Sequence, residues 1–285
     1  MNSLLCFGFG YCAEALAARL RAKANWRIVG TSRTPEGANA ITAKGFEGLV
    51  FDGAAANASL DQAIARATHV LISIPPDAGG DPVLRAYATQ LAASKSLAWT
   101  GYLSTLGVYG ESGGAWVDED TPARPTHERA ARRLAAERAW LGHGAQIFRI
   151  AGIYGPGRNA LAGLKDGTAR RIVKPGQVFN RIHVEDIAQC LDLAMQNGRA
   201  GRVYNLTDDE PASPEDVILE AAQLLGLQPP PPTPFESAEL SPMAASFYAD
   251  NRRVRNARIK EELKVALRYP TYREGLAGLL AEMKR

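Results

Sequence analysis

Cysteine is scarce in this chain. Only Cys6, Cys12 and Cys190 occur in 285 residues, and none stands at a metal-ligand spacing from another. That excludes a disulfide framework and suits a reducing, cytoplasmic setting. Long apolar runs are absent too. None approaches the ~18 residues of a membrane span, and no basic region followed by an apolar stretch opens the sequence, so neither a span nor a signal peptide is expected. Charge of one sign is not in excess: 33 Lys and Arg face 30 Asp and Glu, a net +3. No basic tract is interleaved with aromatics, which argues against a nucleic-acid partner. The densest basic stretches, Arg129 to Arg138 and Arg252-Arg253-Val254-Arg255, read as solvated helix faces. Hydrophobic residues make up 46% of the chain, enough for one large domain or two unequal ones with a real core.

The first half alternates two kinds of segment. Short apolar runs at Ser3–Phe7, Trp26–Thr31, Glu47–Phe51, His69–Ile74, Ala98–Leu103 and Gln146–Ile150 predict strands. Segments of helical period lie between them: Ala13–Ala22, Pro35–Lys44, Leu60–Ala65, Pro82–Ser94 and Arg129–Leu141. This order predicts an α/β fold with a doubly wound parallel sheet, whose strand C-termini share one ligand-binding edge. After Ile150 the rhythm breaks at Gly155-Pro156-Gly157, and a loop-rich stretch runs to Lys174-Pro175-Gly176. A helix is predicted over Val184–Met195, a returning strand over Val203–Leu206, and a helix over Pro214–Leu225 with Ser213 as N-cap. Residues 228–234, Gln-Pro-Pro-Pro-Pro-Thr-Pro, read as a stiff extended connector. Helices near Asn256–Leu263 and Tyr272–Met283 end the pattern.

The stretch Cys6-Phe7-Gly8-Phe9-Gly10-Tyr11-Cys12-Ala13 carries the strongest signal. Between a strand and a helix, Gly8-x-Gly10-x-x-Ala13 is one form of the dinucleotide fingerprint. Gly8 permits the tight turn, Gly10 lets backbone approach a pyrophosphate, and Ala13 lets helix and strand pack closely. The helix N-terminus then offers free N–H groups and a positive dipole end to phosphate. The second strand ends Gly30-Thr31-Ser32-Arg33-Thr34. No acid stands there to accept from a ribose 2′-hydroxyl, and Arg33 supplies a guanidinium for a 2′-phosphate, so NADP is expected over NAD. Asp52, ending the third strand, is a candidate for the adenine end or for a helix cap.

Four further segments complete a pattern: Ser104-Thr105-Leu106-Gly107-Val108-Tyr109-Gly110, Arg149-Ile150-Ala151-Gly152-Ile153-Tyr154-Gly155-Pro156-Gly157, Arg181-Ile182-His183-Val184-Glu185-Asp186-Ile187-Ala188, and Val203-Tyr204-Asn205-Leu206-Thr207-Asp208. With the glycine fingerprint they run in order over roughly residues 3–210. The chain resembles the extended short-chain dehydrogenase/reductase superfamily of NAD(P)-dependent sugar epimerases and dehydratases. The resemblance implies a Rossmann domain over 1–208, with 151–181 inserted as a loop region lining the cleft, and a smaller C-terminal substrate region over 209–285. It implies that residues 75–80 and 154–158 line the nicotinamide and substrate cleft. Candidate cofactor contacts are Gly8, Gly10, Tyr11, Cys12, Ser32, Arg33, Asp52, Ile74, Pro75 and Arg133. It also implies a polar small-molecule substrate, a nucleotide sugar being one class, and a monomer or homodimer.

In that family a Ser or Thr acts with a Tyr and a Lys spaced Tyr-x-x-x-Lys on a helix, the tyrosinate moving a proton while hydride moves on the nicotinamide. The hydroxyl residue falls on Thr105. The helix reads Thr126-His127-Glu128-Arg129-Ala130-Ala131-Arg132-Arg133-Leu134-Ala135-Ala136-Glu137. Aligning Glu137 with the family's usual Glu puts Arg129 at the Tyr position and Arg133 at the Lys position. Arginine does not transfer protons near neutral pH. Arg133 still has donors for a ribose; Arg129 does not replace a phenol. The chain reads as an atypical member, an oxidoreductase or epimerase-like protein whose proton donor is unassigned, or alternatively a non-catalytic NADP(H) sensor. Tyr109, Tyr154 and His127 are surrogate acids to weigh against packing and capping roles. His183 and Asp186 read as capping and packing residues, and Cys12 as an apolar filler rather than a reactive thiol. Arg149 and Arg181 read as ion-pair partners ahead of diphosphate ligands. Residues 163–178 and those after 209 are expected to shape a pocket whose specificity the sequence does not spell out.

Overall fold

A computed structural model describes residues 1–23 and 25–284. The central sheet has seven strands: β1 (Asn2–Phe7), β2 (Trp26–Ser32), β3 (Glu47–Val50), β4 (His69–Ile72), β5 (Trp99–Thr105), β6 (Gln146–Ile150) and β7 (Val203–Leu206). All pair in parallel in the order β7-β6-β5-β4-β1-β2-β3. The helices α1 (Tyr11–Arg21), α2 (Pro35–Ala43), α3 (Ala58–Arg66), α4 (Pro82–Ala93) and α5 (Glu128–Gly142) alternate with the strands as expected.

Strand side chains alternate between faces, so a strand covered on both sides must be apolar throughout. β1 meets this requirement. Leu4 and Cys6 join α1 and the later helix α7 (Val184–Asn197) in one core, while Leu5 and Phe7 join α3, α4 and α5 in another. A third cluster lies outside the sheet. It gathers Tyr154, Leu161, Ala212, Ala221, Tyr272, Leu276 and Leu279 around α6 (Ala160–Lys165), α8 (Pro214–Leu225) and the C-terminal helix Tyr272–Met283. The Ser213 side chain accepts from Asp216 N at 3.0 Å, capping α8 as its sequence indicated. No helix among the described residues is long and apolar enough to cross a membrane.

Two expectations change. The stretch after Gly157 is less irregular than its composition suggests: Asn159 caps α6 by accepting from Ala162 N, and Arg171–Val173 pairs in parallel with Pro232–Pro234. The proline-rich connector thus lies on a two-stranded edge, where its missing N–H groups cost no interior ladder bond. The basic run Arg252–Arg255 is not a helix face. Arg253–Val254 pairs with Trp116–Val117, Arg252 donates to Gly110 O at 2.7 Å, and Arg255 stacks 5.0 Å over Trp116. Arg252 and Arg253 are half-buried and hold a loop through backbone carbonyls, while Arg255 stays exposed beside Trp116.

One row across the sheet is polar and buried. Ser104, Arg149 and Asn205 lie in register on β5, β6 and β7. Arg149 Nη2 donates to Glu137 Oε2 of α5 at 2.8 Å, and the two side chains are 8% and 1% exposed. Ser104 donates to the other Glu137 oxygen. Arg149 also stacks 4.8 Å from the Tyr109 ring, whose hydroxyl donates to Asn205 Oδ1 at 2.8 Å. Beyond β7, Asp208 is 1% exposed and its Oδ2 has no hydrogen-bond partner among the described residues.

Removing one member of a buried pair strands the other charge, so Glu137→Leu should lower the unfolding free energy by about 3–5 kcal/mol in urea denaturation. Adding Arg149→Met should recover most of that loss; a double variant no better than the single one would refute the pair's role. Burial pushes the Asp208 carboxyl up to about 8, against ~3.9 for an unfolded aspartate. Between those values the folded chain holds a proton that the unfolded chain has released, so this group's contribution makes stability fall as pH rises. Asp208→Asn stays neutral throughout and should flatten that decline in a series of Tm measurements from pH 4 to 8.

Candidate functional site

The glycine loop is shaped by two requirements of different kinds. Gly8 has φ +86°, and a Cβ there would lie 2.7 Å from Ile74 Cγ2. The turn itself therefore demands glycine. Thr31 at the end of β2 anchors the loop: its hydroxyl accepts from Gly8 N at 2.8 Å and its carbonyl from Phe9 N at 3.1 Å. Phe9 then lies over Gly30, where a Cβ would meet the ring at 2.3 Å. Gly10 differs. It is the N-cap of α1, and a Cβ added there would meet nothing within 4 Å. No side chain caps α1, so its first amides point into the same open space.

The rim of this space carries the residues singled out from the sequence. Ser32 is half-buried, and Arg33 is exposed with no side-chain partner among the described residues. Asp52 is exposed and accepts from Ala54 N at 2.9 Å, while Asn57 caps α3, which removes the helix-cap alternative for Asp52. Ile74 packs on Gly8, and Pro75 after it is exposed. Tyr11 donates from its hydroxyl to Pro156 O at 2.9 Å, drawing the loop that follows β6 over the start of α1. The Cys12 side chain is 7% exposed, and burial pushes its thiol up to about 11, so it is an apolar filler and only its backbone faces the loop.

The ends of β5 and α5 form the next part of the edge. The half-buried Thr105 accepts from Gly107 N at 3.1 Å, which leaves its own hydroxyl proton free. Arg133 is half-buried and donates from Nη1 to Leu103 O at 3.0 Å and to the Tyr102 hydroxyl at 3.2 Å. Its Nε and Nη2 have no partner among the described residues. Arg129 is exposed and also without one. Tyr109 does not reach this edge. It is 2% exposed, its hydroxyl is committed to Asn205, and burial pushes it up to about 12. Tyr154 is buried and donates to Thr271 O. His127 caps α5 through Nδ1, which accepts from Ala130 N at 3.3 Å.

His183 and Asp186 behave as capping and packing residues. His183 accepts from Glu185 N, and Asp186 accepts from Arg268 N at 2.7 Å and Tyr269 N at 3.0 Å. Arg149 is the ion-pair partner expected of it. Arg181 is not: it donates to backbone carbonyls and pairs with no carboxylate among the described residues. Thr31 and the Phe9–Gly30 contact were not evident beforehand, because each becomes meaningful only when β1 and β2 lie side by side. A hydroxyl ending the second strand was their one trace in the sequence.

No family model matches the chain. It is 29% identical to protein YeeZ of Escherichia coli K12 over 262 residues, 81% of this chain and 86% of that one. It superposes on dTDP-glucose 4,6-dehydratase of Bacillus anthracis, solved with NAD, with a TM-score of 0.77 at 17% identity, covering 100% and 96% of the two chains. It superposes on a functionally unknown conserved protein of Silicibacter pomeroyi with a TM-score of 0.90, at 50% identity over 100% of both chains. The chain belongs to one family with that Silicibacter protein, and its fold is that of the extended short-chain dehydrogenase/reductases.

Proposed function

We propose that the chain binds NADP(H) along the carboxyl ends of β1, β2 and β4 and acts as an oxidoreductase of the epimerase/dehydratase type on a polar small molecule. Gly10 carries this reading. The protein itself has no need of a glycine there, since a side chain would touch nothing. A ligand backbone lying against it does need one. The uncapped amides of α1 and the unpartnered Arg33 suit a pyrophosphate and a 2′-phosphate respectively. The Bacillus anthracis relative was solved with NAD and acts on a sugar nucleotide by its name. It supports a dinucleotide here and makes nucleotide sugars a substrate class to screen; Arg33 is what favours the phosphorylated cofactor.

When bound, the nicotinamide supplies a hydride donor or acceptor. The chain's own part is to orient and to stabilise charge. Thr105 donates its free hydroxyl proton to a substrate oxygen. Arg133, held by Leu103 O and the Tyr102 hydroxyl, presents its remaining N–H groups to a ribose or to an oxygen gaining negative charge. Arg129, one turn earlier, offers a second cation to an anionic group. Of the three surrogate acids, only His127 is an exposed residue, while Tyr109 and Tyr154 are buried and hydrogen-bonded, so proton transfer from either tyrosine forms no part of this reading.

Arginine at both dyad positions favours a second reading, dinucleotide binding without turnover. Oxidation of NADPH in the presence of carbonyl substrates separates the two, turnover supporting the first. Arg33→Ala should weaken NADPH about 10- to 100-fold, the worth of a charge-assisted contact, and leave NADH nearly unchanged in calorimetric titration. Equal losses for both cofactors would overturn the phosphate assignment. Gly10→Val should abolish binding of either dinucleotide with little change in Tm, because its side chain meets no protein atom. Undiminished affinity in that variant would leave the loop a purely structural turn.

A further inference from the structure

A cavity of about 250 Å³ lies beyond β6, between the strand Gly152–Tyr154, α6, α8 and the C-terminal helix. Three of its lining residues bring unused hydrogen-bonding capacity or charge to it. Arg181 enters from the strand Arg181–His183. Its guanidinium donates to the carbonyls of Phe179 and Ala212 at 2.9 Å and of Ser213 at 3.4 Å. These acceptors are neutral, and no carboxylate pairs with it among the described residues. Asp208 exerts the largest charge effect on it, but burial disfavours the charged form of that carboxyl and the two form no hydrogen bond or ion pair among the described residues. Arg158 stands at the mouth, exposed and without a side-chain partner among the described residues. Tyr272 is 1% exposed, and its hydroxyl is buried with no hydrogen-bond partner among the described residues.

A cation withdrawn from water without a counter-charge is costly, and so is a buried hydroxyl that bonds to nothing. One such cation, Arg181, and one such hydroxyl, that of Tyr272, line a single cavity with the exposed Arg158 at its mouth, and one oxyanion would engage all three. The neighbouring polar residue, Asn159, is already used: Nδ2 donates to Gly155 O and Oδ1 accepts from Ala162 N. Leu276 supplies apolar wall. We infer that this cavity receives the acidic group of the substrate, a carboxylate or a phosphate monoester, on Arg181, Arg158 and the Tyr272 hydroxyl. Calling the bound molecule a substrate rests on the proposed function; the anion site itself does not.

Arg158 also bears on the glycine loop, since its charge acts on Tyr11 and Cys12. The test must therefore separate this cavity from the cofactor's phosphate site. Inorganic phosphate and malonate are titrated calorimetrically into the protein with and without saturating NADPH. Saturable uptake that persists with NADPH is expected, and the tighter of the two probes names the acid. Arg158→Met should weaken it about tenfold or more and Tyr272→Phe about fivefold. Both variants leave the three carbonyl contacts of Arg181 in place, so both should fold. Uptake of neither anion, uptake displaced by NADPH, or uptake indifferent to Tyr272→Phe would overturn the inference. Protein that fails to bind NADPH yet loses its anion in Tyr272→Phe would refute the cofactor reading and keep this site.

Discussion

The buried pair of Glu137 and Arg149 is the constraint on which the edge of this sheet depends. Arg149 reaches from β6 to a carboxylate on α5, and the same carboxylate accepts from Ser104 on β5. Tyr109 closes the group by stacking on Arg149 and bonding to Asn205 on β7. Three strands and one helix are thereby fixed at a single depth. Charges at that depth are tolerated only when every donor and acceptor is matched, and here they are matched in one arrangement. The rotation of α5 about its axis follows from Glu137, and with it the place of Arg133, one turn earlier on the same stripe.

That geometry gives physical meaning to the departure from the usual dyad. Arg133 holds the end of β5 while keeping donors to spare. A lysine has three donors on one atom; a guanidinium spreads five over a rigid plane, so it can grip the protein with one edge and a ligand with another. Tyr109 offers no phenol at this edge, because the same buried row has taken it for structural use.

The regular part of the fold was legible because its signals are local. Apolar runs marked the strands, Ser213-Pro214 marked a helix start, and glycine spacing marked the turn before α1. Ranges shifted by a residue or two at their ends. What stayed hidden was set by partners distant in sequence. Arg171–Val173 is a strand because Pro232–Pro234 lies beside it, and Arg253–Val254 because Trp116–Val117 does. Nothing in either triplet or pair announces this. The candidate site divides likewise: Gly8, Gly10 and Arg33 could be read from spacing, whereas the sealing of Tyr109, the anchoring by Thr31 and the unpaired state of Arg181 needed three dimensions. Arg149 and Arg181 looked alike as motif arginines and differ because a carboxylate meets only one of them.

The crossing of the loop after β6 over α1 has one more consequence. At Gly155 an added Cβ would lie 2.5 Å from the Tyr11 hydroxyl and 2.8 Å from Val184 Cγ1. The glycine loop, the start of α7 and the segment leading to α6 therefore meet at a point with room for backbone alone. A single methyl there acts as a wedge, and its displacement is passed at once to Tyr11 and to the helix behind it. The junction has no slack for a side chain, so position 155 gauges how closely the loop after β6 lies against the starts of α1 and α7.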